Sequence, residues 1–394
     1  MFASECKTIQ EELVAMRREL HQIPELGKCL PKTQKYVTEK LEEYGIEYTL
    51  NKDGDSGIIA YINKGKAGKC IALRADMDGL PIKEETGLPF ASVNGCMHAC
   101  GHDTHITMLL GAAKILNAHK DELNGEVRLL FQTAEELSKG AVEMLKNDAM
   151  DGVDAVFGTH IGSIISKEIK SGTMIITPGP IMASFDRFII TVKGFGCHGS
   201  TPEKGVDPVN IAAHIVLGLE NINAREFNAC VPVVVTIGKI AGGSQYNVIP
   251  GEVVIEGTTR ALNEEVRQKL AKRIEEISAG IAAAFGGSAT LEMDWGAPPV
   301  VNDEAMASFA ADCAKEIIGE DMVITSVEHP NMGGEDFAYF LGKAPGAFMF
   351  LSSVNPEKVP GSDIAHHNSK FTVDEDVFWE GAAVFVNIAE KYLK

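Results

Sequence analysis

The chain has 394 residues, 45% of them hydrophobic, and a formal net charge of −19. That length favours two or more domains, or one large domain carrying an insertion, and the composition allows an ordinary globular core. The acidic balance weighs against nucleic acid and anionic membranes as partners; it leaves small anionic substrates open, because one local Arg outweighs a distant field.

Met1-Phe2-Ala3-Ser4-Glu5 lacks the basic-then-apolar order of a secretory signal, and no run of about 18 uncharged apolar residues suits a membrane span. Eight cysteines, at 6, 29, 70, 96, 100, 197, 230 and 313, are scattered without a small-domain disulfide spacing. Reduced thiols in a cytoplasmic protein are therefore expected.

Residues 4–20 place Leu13, Met16 and Leu20 at helical spacing among charges and predict an opening amphipathic helix. A second helix is expected over 33–44, with Gly45 to end it. Short β-rich runs follow at 57–62, 70–74, 127–132 and 153–157, with helical patterns at 104–119 and 137–147. Strands alternating with helices predict an α/β fold built on a mainly parallel sheet, helices on both faces. Ligands of such sheets bind at the carboxyl ends of strands. Asp76 and Asp78 follow the run at 70–74, Glu135 and Glu136 follow 127–132, and His160 follows 153–157. That coincidence points to one shared site.

Thr177-Pro178-Gly179-Pro180 marks a linker. Beyond it come a strand at 186–192, a helix at 206–223, strands at 231–240 and 253–260, a helix at 264–285 and a last strand near 288–293. This order suits a ferredoxin-like α+β layer. After Trp295-Gly296-Ala297-Pro298-Pro299 the first pattern returns, with a buried strand at 346–351 and a closing helix at 374–392. The expected organisation is a discontinuous catalytic domain, 1–182 and 296–394, interrupted by an inserted domain at 183–295.

Cys100-Gly101-His102-Asp103-Thr104-His105 packs a thiol, two imidazoles and a carboxylate into one short stretch. One Cys or one His alone reads as packing. The cluster reads as metal ligation, since thiolate and neutral imidazole bind divalent transition ions well. A Cys100 nucleophile activated by His102 is the competing chemistry. Phe131-Gln132-Thr133-Ala134-Glu135-Glu136 then ends an apolar run in two acids, which metal chemistry needs and thiol chemistry does not. Adjacent residues leaving a strand point different ways, so one acid can bind metal while the other faces substrate and moves a proton.

Asp76 and Asp78 flank Met77 before the turn residues Gly79 and Pro81. One of them is expected to orient a ligand imidazole; the alternative is an Asp-stabilised turn. His160 and the doublet His366-His367 gain weight because the first cluster leaves metal positions unfilled. In the insert, glycines surround His198 in Gly194-Phe195-Gly196-Cys197-His198-Gly199-Ser200, which permits close backbone approach, and Arg260 is suited to a bidentate pair with a carboxylate. Gly194–Gly199 has no Gly-Lys-Ser/Thr ending and is a poor phosphate loop.

Arg74–Pro81, Met97–Asp103, Phe131–Glu136 and Asn331-Met332-Gly333-Gly334-Glu335-Asp336-Phe337 together resemble the M20 metallopeptidase superfamily, and within it the amidohydrolase branch of hippurate, N-acyl-amino-acid and auxin-conjugate hydrolases and N-acetyldiaminopimelate deacetylases. The resemblance runs from His21-Gln22-Ile23-Pro24-Glu25 to His367. It implies two divalent ions (Mn, Zn, Co, Ni or Fe) held by Cys100, His102, Glu136, His160 and His367, with Glu135 as general base supported by Asp76 and Asp78. It implies a lid that also forms a homodimer or higher homo-oligomer, with His198 steadying the oxyanion and Asn247, Arg260 and Glu335 at the substrate. The activity implied is cleavage of an N-acyl amino acid, with a diaminopimelate deacetylase or a dipeptidase on the same scaffold as the alternative. A thiol hydrolase and a non-catalytic metal or amino-acid binding protein stay open as other classes. The chain departs from the family at Thr133 (usually Pro), at Gly158-Thr159-His160 (usually Gly-Leu-His) and at His367-Asn368-Ser369, which leaves the choice between His366 and His367 open; Cys197 before His198 is also unusual.

Overall fold

In the computed structural model, which describes residues 2–394, the opening stretch is a 3₁₀ turn over Phe2–Ile9 that runs into α1 (Gln10–His21). Leu13, Met16 and Leu20 are buried, as their spacing requires. α2 (Pro31–Tyr44) starts on a proline, whose missing N–H is harmless in a first turn, and ends at Gly45 with φ 70°. Then come β1 (Glu47–Leu50), β2 (Ile58–Ile62), β3 (Lys69–Asp76), α3 (His102–Ala118), β4 (Gly125–Gln132), α4 (Gly140–Lys146), β5 (Ala155–Ile161), β6 (Met174–Ile175) and β7 (Gly179–Met182). The middle of the chain forms β8 (Asp186–Lys193), β9 (Cys197–His198), α5 (Pro208–Asn221), β10 (Val233–Gly242), β11 (Val248–Ile249), β12 (Glu252–Ala261), α6 (Glu264–Ala284) and β13 (Ser288–Trp295). β14 (Val300–Asn302), α7 (Glu304–Ile318), β15 (Val323–Ile324), α8 (Ala338–Leu341), β16 (Gly346–Leu351) and α9 (Phe378–Tyr392) complete it.

Two units divide these elements. One runs to Ile181 and resumes over Val301–Asn331 and Asp336–Lys394; the other comprises Met182–Val300 and Met332–Glu335. The first unit holds the large sheet, ordered β1-β2-β4-β3-β5-β16-β6-β15. β4, β3, β5 and β16 run parallel to one another and β15 runs parallel to β6, while the β1–β2, β2–β4 and β16–β6 pairings are antiparallel. β5 and β16 are buried along their whole length, as parallel strands covered on both faces must be. α3 is buried almost all round, with Ile106, Leu109, Leu110, Ala113 and Leu116 in the core, and packs against α1 and α9.

Boundaries near the site differ from the sequence reading: β3 runs on to Asp76, so that residue ends the strand rather than following it. β5 extends to Ile161, so His160 lies inside the strand rather than after it, because Thr159 and Ile161 pair with β16. The helix expected over 137–147 is split. Glu135–Leu137 form a 3₁₀ turn and α4 starts only at Gly140, because Ser138 takes a left-handed φ of 52°.

The second unit holds an antiparallel sheet of order β10-β12-β8-β13 with α5 and α6. Its strand order and helix positions are those of the expected ferredoxin-like layer. Phe188, Ile190, Ile215, Leu219, Ile255, Leu270 and Ile274 form its core. Asp207 and Asn263 cap the two helices through their side-chain oxygens.

Candidate metal centre

The carboxyl ends of β3, β4 and β5, the start of α3 and the loop before α9 bring the donor atoms together. Gly101 precedes α3 at φ 89°, and a Cβ there would meet Ile161 Cγ2 at 2.7 Å. Only glycine lets the chain turn this tightly against the end of β5. The turn buries Cys100 and His102. Donor atoms of Cys100, His102 and Glu136 lie within 4.8 Å of one another, and so do those of Cys100, His160 and His366.

Glu135 and Glu136 sit between two left-handed residues, Ala134 at φ 49° and Ser138 at φ 52°. Such strain in non-glycine residues clusters at functional sites. The Asp78 carboxylate holds the turn by accepting the Glu135 N–H at 3.0 Å and the Glu136 N–H at 3.3 Å. Its Oδ1 is also 3.5 Å from His102 Nδ1. Asp76 is engaged elsewhere: it accepts from Arg74 at 2.7 Å and pairs with His105 Nδ1 at 2.5 Å, while His102 Nε2 lies 3.7 Å away. Glu135 Oε2 and Glu136 Oε1 are 4.0 and 3.9 Å from that same His102 nitrogen.

Hydrogen bonds fix the state of His160. Its Nδ1 is 2.8 Å from the Ile161 carbonyl, which can only accept, so Nδ1 carries the proton and Nε2 presents a lone pair 3.4 Å from Cys100 Sγ. The two late histidines part company. His366 is packed against Gly162, where a Cβ would meet its Nε2 at 2.2 Å, and that nitrogen accepts the Ser163 N–H at 3.2 Å. His367 is half-exposed, with φ 62°, its N–H on the Ala99 carbonyl at 2.9 Å and its Nε2 3.3 Å from Glu136 Oε1.

The electrostatics follow from acids crowded around buried donors. Burial opposes the charge of His102, yet Asp76, Asp78 and Glu136 outweigh it and push its pKa up to about 10. Burial, then Glu136, Glu135 and Asp76, holds the Cys100 thiol well above its ordinary value. Burial, followed by His105 and His366, drives His160 well below the usual imidazole range.

A divalent cation fits this set of residues. His102 Nε2 and Glu136 Oε1 are buried without a hydrogen bond, a costly state for polar atoms. The donor types are thiol, imidazole and carboxylate, which together suit borderline divalent ions.

The remaining expected residues lie in the second unit. His198 is exposed on β9, paired with Val248 of β11, and its Nδ1 accepts the Ser200 N–H at 3.1 Å. Asn247 is exposed, in the loop between β10 and β11, and its carbonyl accepts the Gly199 N–H at 2.8 Å. Arg260 ends its strand half-buried, donating to Thr258 Oγ1 at 2.8 Å, its guanidinium stacked 4.4 Å from the Phe185 ring. Glu335 is buried.

Two networks escaped the sequence reading. Arg74 Nε donates to Gln132 Oε1 at 2.9 Å and its terminal nitrogens bridge Asp76 and Asp336, tying the ends of β3 and β4 to the Glu335-Asp336 motif. Arg17 and His21 of α1 both bind the Asp103 carboxylate, at 2.8 and 2.7 Å, and His21 also reaches Glu84. Asp103 therefore ties the start of α3 to α1 rather than joining the donor cluster. The only signal for either network is an Arg or Asp inside a run otherwise bound for the core.

The pattern of peptidase family M20/M25/M40 matches residues 72–391. The chain is 40% identical to an N-acetyl-L-cysteine deacetylase of Bacillus subtilis (strain 168), covering 98% of this chain and 89% of that protein. It is 41% identical to an N-acyl-L-amino acid amidohydrolase of Geobacillus stearothermophilus, covering 75% and 79%. The crystal structure of the Bacillus subtilis YXEP protein, a dinuclear metal binding peptidase of family M20, superposes with a TM-score of 0.83 at 36% identity, covering 98% and 99%.

Proposed function

The chain belongs to peptidase family M20/M25/M40, and on that footing we propose that it is a metal-dependent amidohydrolase that cleaves N-acyl amino acids to a carboxylic acid and a free amino acid. The observation that carries this reading is the Cys100–His102–Glu136 donor triad, with His160 Nε2 facing Cys100 Sγ and Glu135 held beside it by Asp78. The ligands in this proposal are Cys100, His102, Glu136, His160 and His367. Two divalent ions, drawn from Mn, Zn, Co, Ni and Fe, occupy it.

When bound, such ions polarise an amide carbonyl and acidify water. The chain's own residues do the rest. Glu135 takes a proton from the attacking water and delivers it to the leaving nitrogen. Asp78 holds both acids by their backbone and keeps His102 oriented. His198 fits the role of oxyanion donor: its Nδ1 accepts from Ser200, which puts the ring proton on Nε2 in the neutral form. Arg260, Asn247 and Glu335 receive the amino-acid end of the substrate. In this proposal residues 183–295 form a lid through which the protein dimerises, inserted in a catalytic domain at 1–182 and 296–394, and the enzyme works in the cytoplasm.

The thiol-hydrolase reading is the weaker one. A nucleophilic Cys needs a lowered pKa, and that of Cys100 is raised by burial and then by its acidic neighbours. The experiment is a panel of N-acetyl, N-benzoyl and N-acetyldiaminopimelate substrates assayed before and after chelation. Metal-dependent loss and recovery of amide cleavage supports the proposal. Cleavage that survives chelation supports a thiol enzyme, and ligand binding without cleavage at every metal loading supports a binding protein.

A further inference from the structure

His105 sits in the same short motif as Cys100 and His102, is 1% exposed and has a carboxylate within reach, yet nothing above gives it a task. Both of its nitrogens are committed. Nε2 accepts the backbone N–H of Ile161 at 2.9 Å, so in the neutral ring Nδ1 carries the proton and donates it to Asp76 Oδ1 at 2.5 Å. No lone pair remains for an ion.

The sheet explains why an imidazole is there. β3 and β5 pair in parallel from Ile71 and Ala155 only as far as Arg74 and Gly158. Beyond that point each strand runs on unpaired with the other, to Asp76 and to Ile161. Those ends part at the crevice where the donors converge, and the first turn of α3 places the His105 ring between them. The ring replaces the missing ladder bonds: one nitrogen takes the β5 N–H and the other the β3 carboxylate. The captured N–H belongs to the residue after His160, and the carbonyl of that same residue receives the His160 Nδ1 proton.

We propose that His105 is a positioning residue that clamps the carboxyl end of β5 to Asp76, and so fixes the direction in which His160 Nε2 faces Cys100. This rests on the ligand set proposed above. It acts through His160 and touches neither ion nor substrate.

The clamp needs one donor and one acceptor at fixed separation, which sets the test. Gln supplies both, Asn supplies both on a shorter arm, and Phe keeps the ring's shape but supplies neither. Metal-free full-length protein is titrated with Co(II) against a competing chelator, reading affinity, the d–d spectrum and the thiolate-to-cobalt absorption, with thermal melts alongside. His105→Phe is expected to lose roughly 10–100-fold in Co(II) affinity with an altered d–d spectrum, as loss of a partner behind a metal ligand does. His105→Gln should recover most of it and His105→Asn less; this pair decides the matter if His105→Phe does not fold. Wild-type affinity and spectrum in folded His105→Phe overturn the clamp, as does equal loss in the Gln and Asn variants. Absence of the thiolate-to-cobalt absorption in the unaltered protein overturns the ligand set, and the clamp with it.

Discussion

Asp78 and Glu135 are joined carboxylate to backbone, with Asp78 Oδ1 accepting the Glu135 N–H at 3.0 Å. The same oxygen lies 3.5 Å from His102 Nδ1, so one side chain fixes both the proposed base and a proposed ligand. Asp78→Ala is expected to weaken metal affinity about 10–100-fold. Turnover should fall even at saturating metal, because the Glu135 turn loses its anchor. Chelator competition and kcat at saturating metal check the two effects; an unchanged kcat would assign Asp78 to metal retention alone.

The two late histidines give a second prediction. His367→Ala is expected to lower the bound divalent ions from two per chain towards about one, because its Nε2 is the nitrogen beside Glu136. His366→Ala should instead cost stability, about 1–3 kcal/mol, through lost packing against Phe371 and the unmet Ser163 N–H. Elemental analysis and urea melts separate them, and the reverse pattern would exchange their roles.

A pH dependence comes from Glu380, in the first turn of α9. Burial, then the carboxylates of Asp374 and Asp376, push its pKa from 4.5 up to about 7 against the opposing pull of Lys7. Because the folded value lies above the unfolded one, its stabilising effect is fully present below about pH 4.5 and is lost as pH rises through about 7. Glu380→Gln should therefore melt higher than the unaltered protein at about pH 8, and at the same temperature near pH 4.5. A constant difference across that range would show that the carboxyl does not titrate as described.

The end of β4 was legible from sequence because its hydrophobic run, Leu129-Leu130-Phe131, stops before Glu135, whereas β3 and β5 run on through Asp76 and His160, polar residues that give no sign of a strand. The ligand motif was legible because its donors crowd into a few residues. What stayed hidden depends on pairs distant in sequence. Arg74 finds Asp336 across 262 positions, and Asp103 finds Arg17 across 86, with no periodicity linking them. His102 and His105 look alike in the motif, and only the one-turn offset of α3 turns the second towards Ile161. His366 and His367 are adjacent, and the left-handed backbone of His367 separates their environments.

The most direct test sets the two acids of the β4 end against each other. Glu135→Gln and Glu136→Gln are purified side by side, their metal content measured by elemental analysis and their turnover of an N-acetyl amino acid determined. Glu135→Gln is expected to keep its ions and lose roughly 10²–10⁴-fold or more in kcat, whereas Glu136→Gln is expected to lose metal. Near-normal turnover in Glu135→Gln, or full metal content in Glu136→Gln, would contradict that assignment.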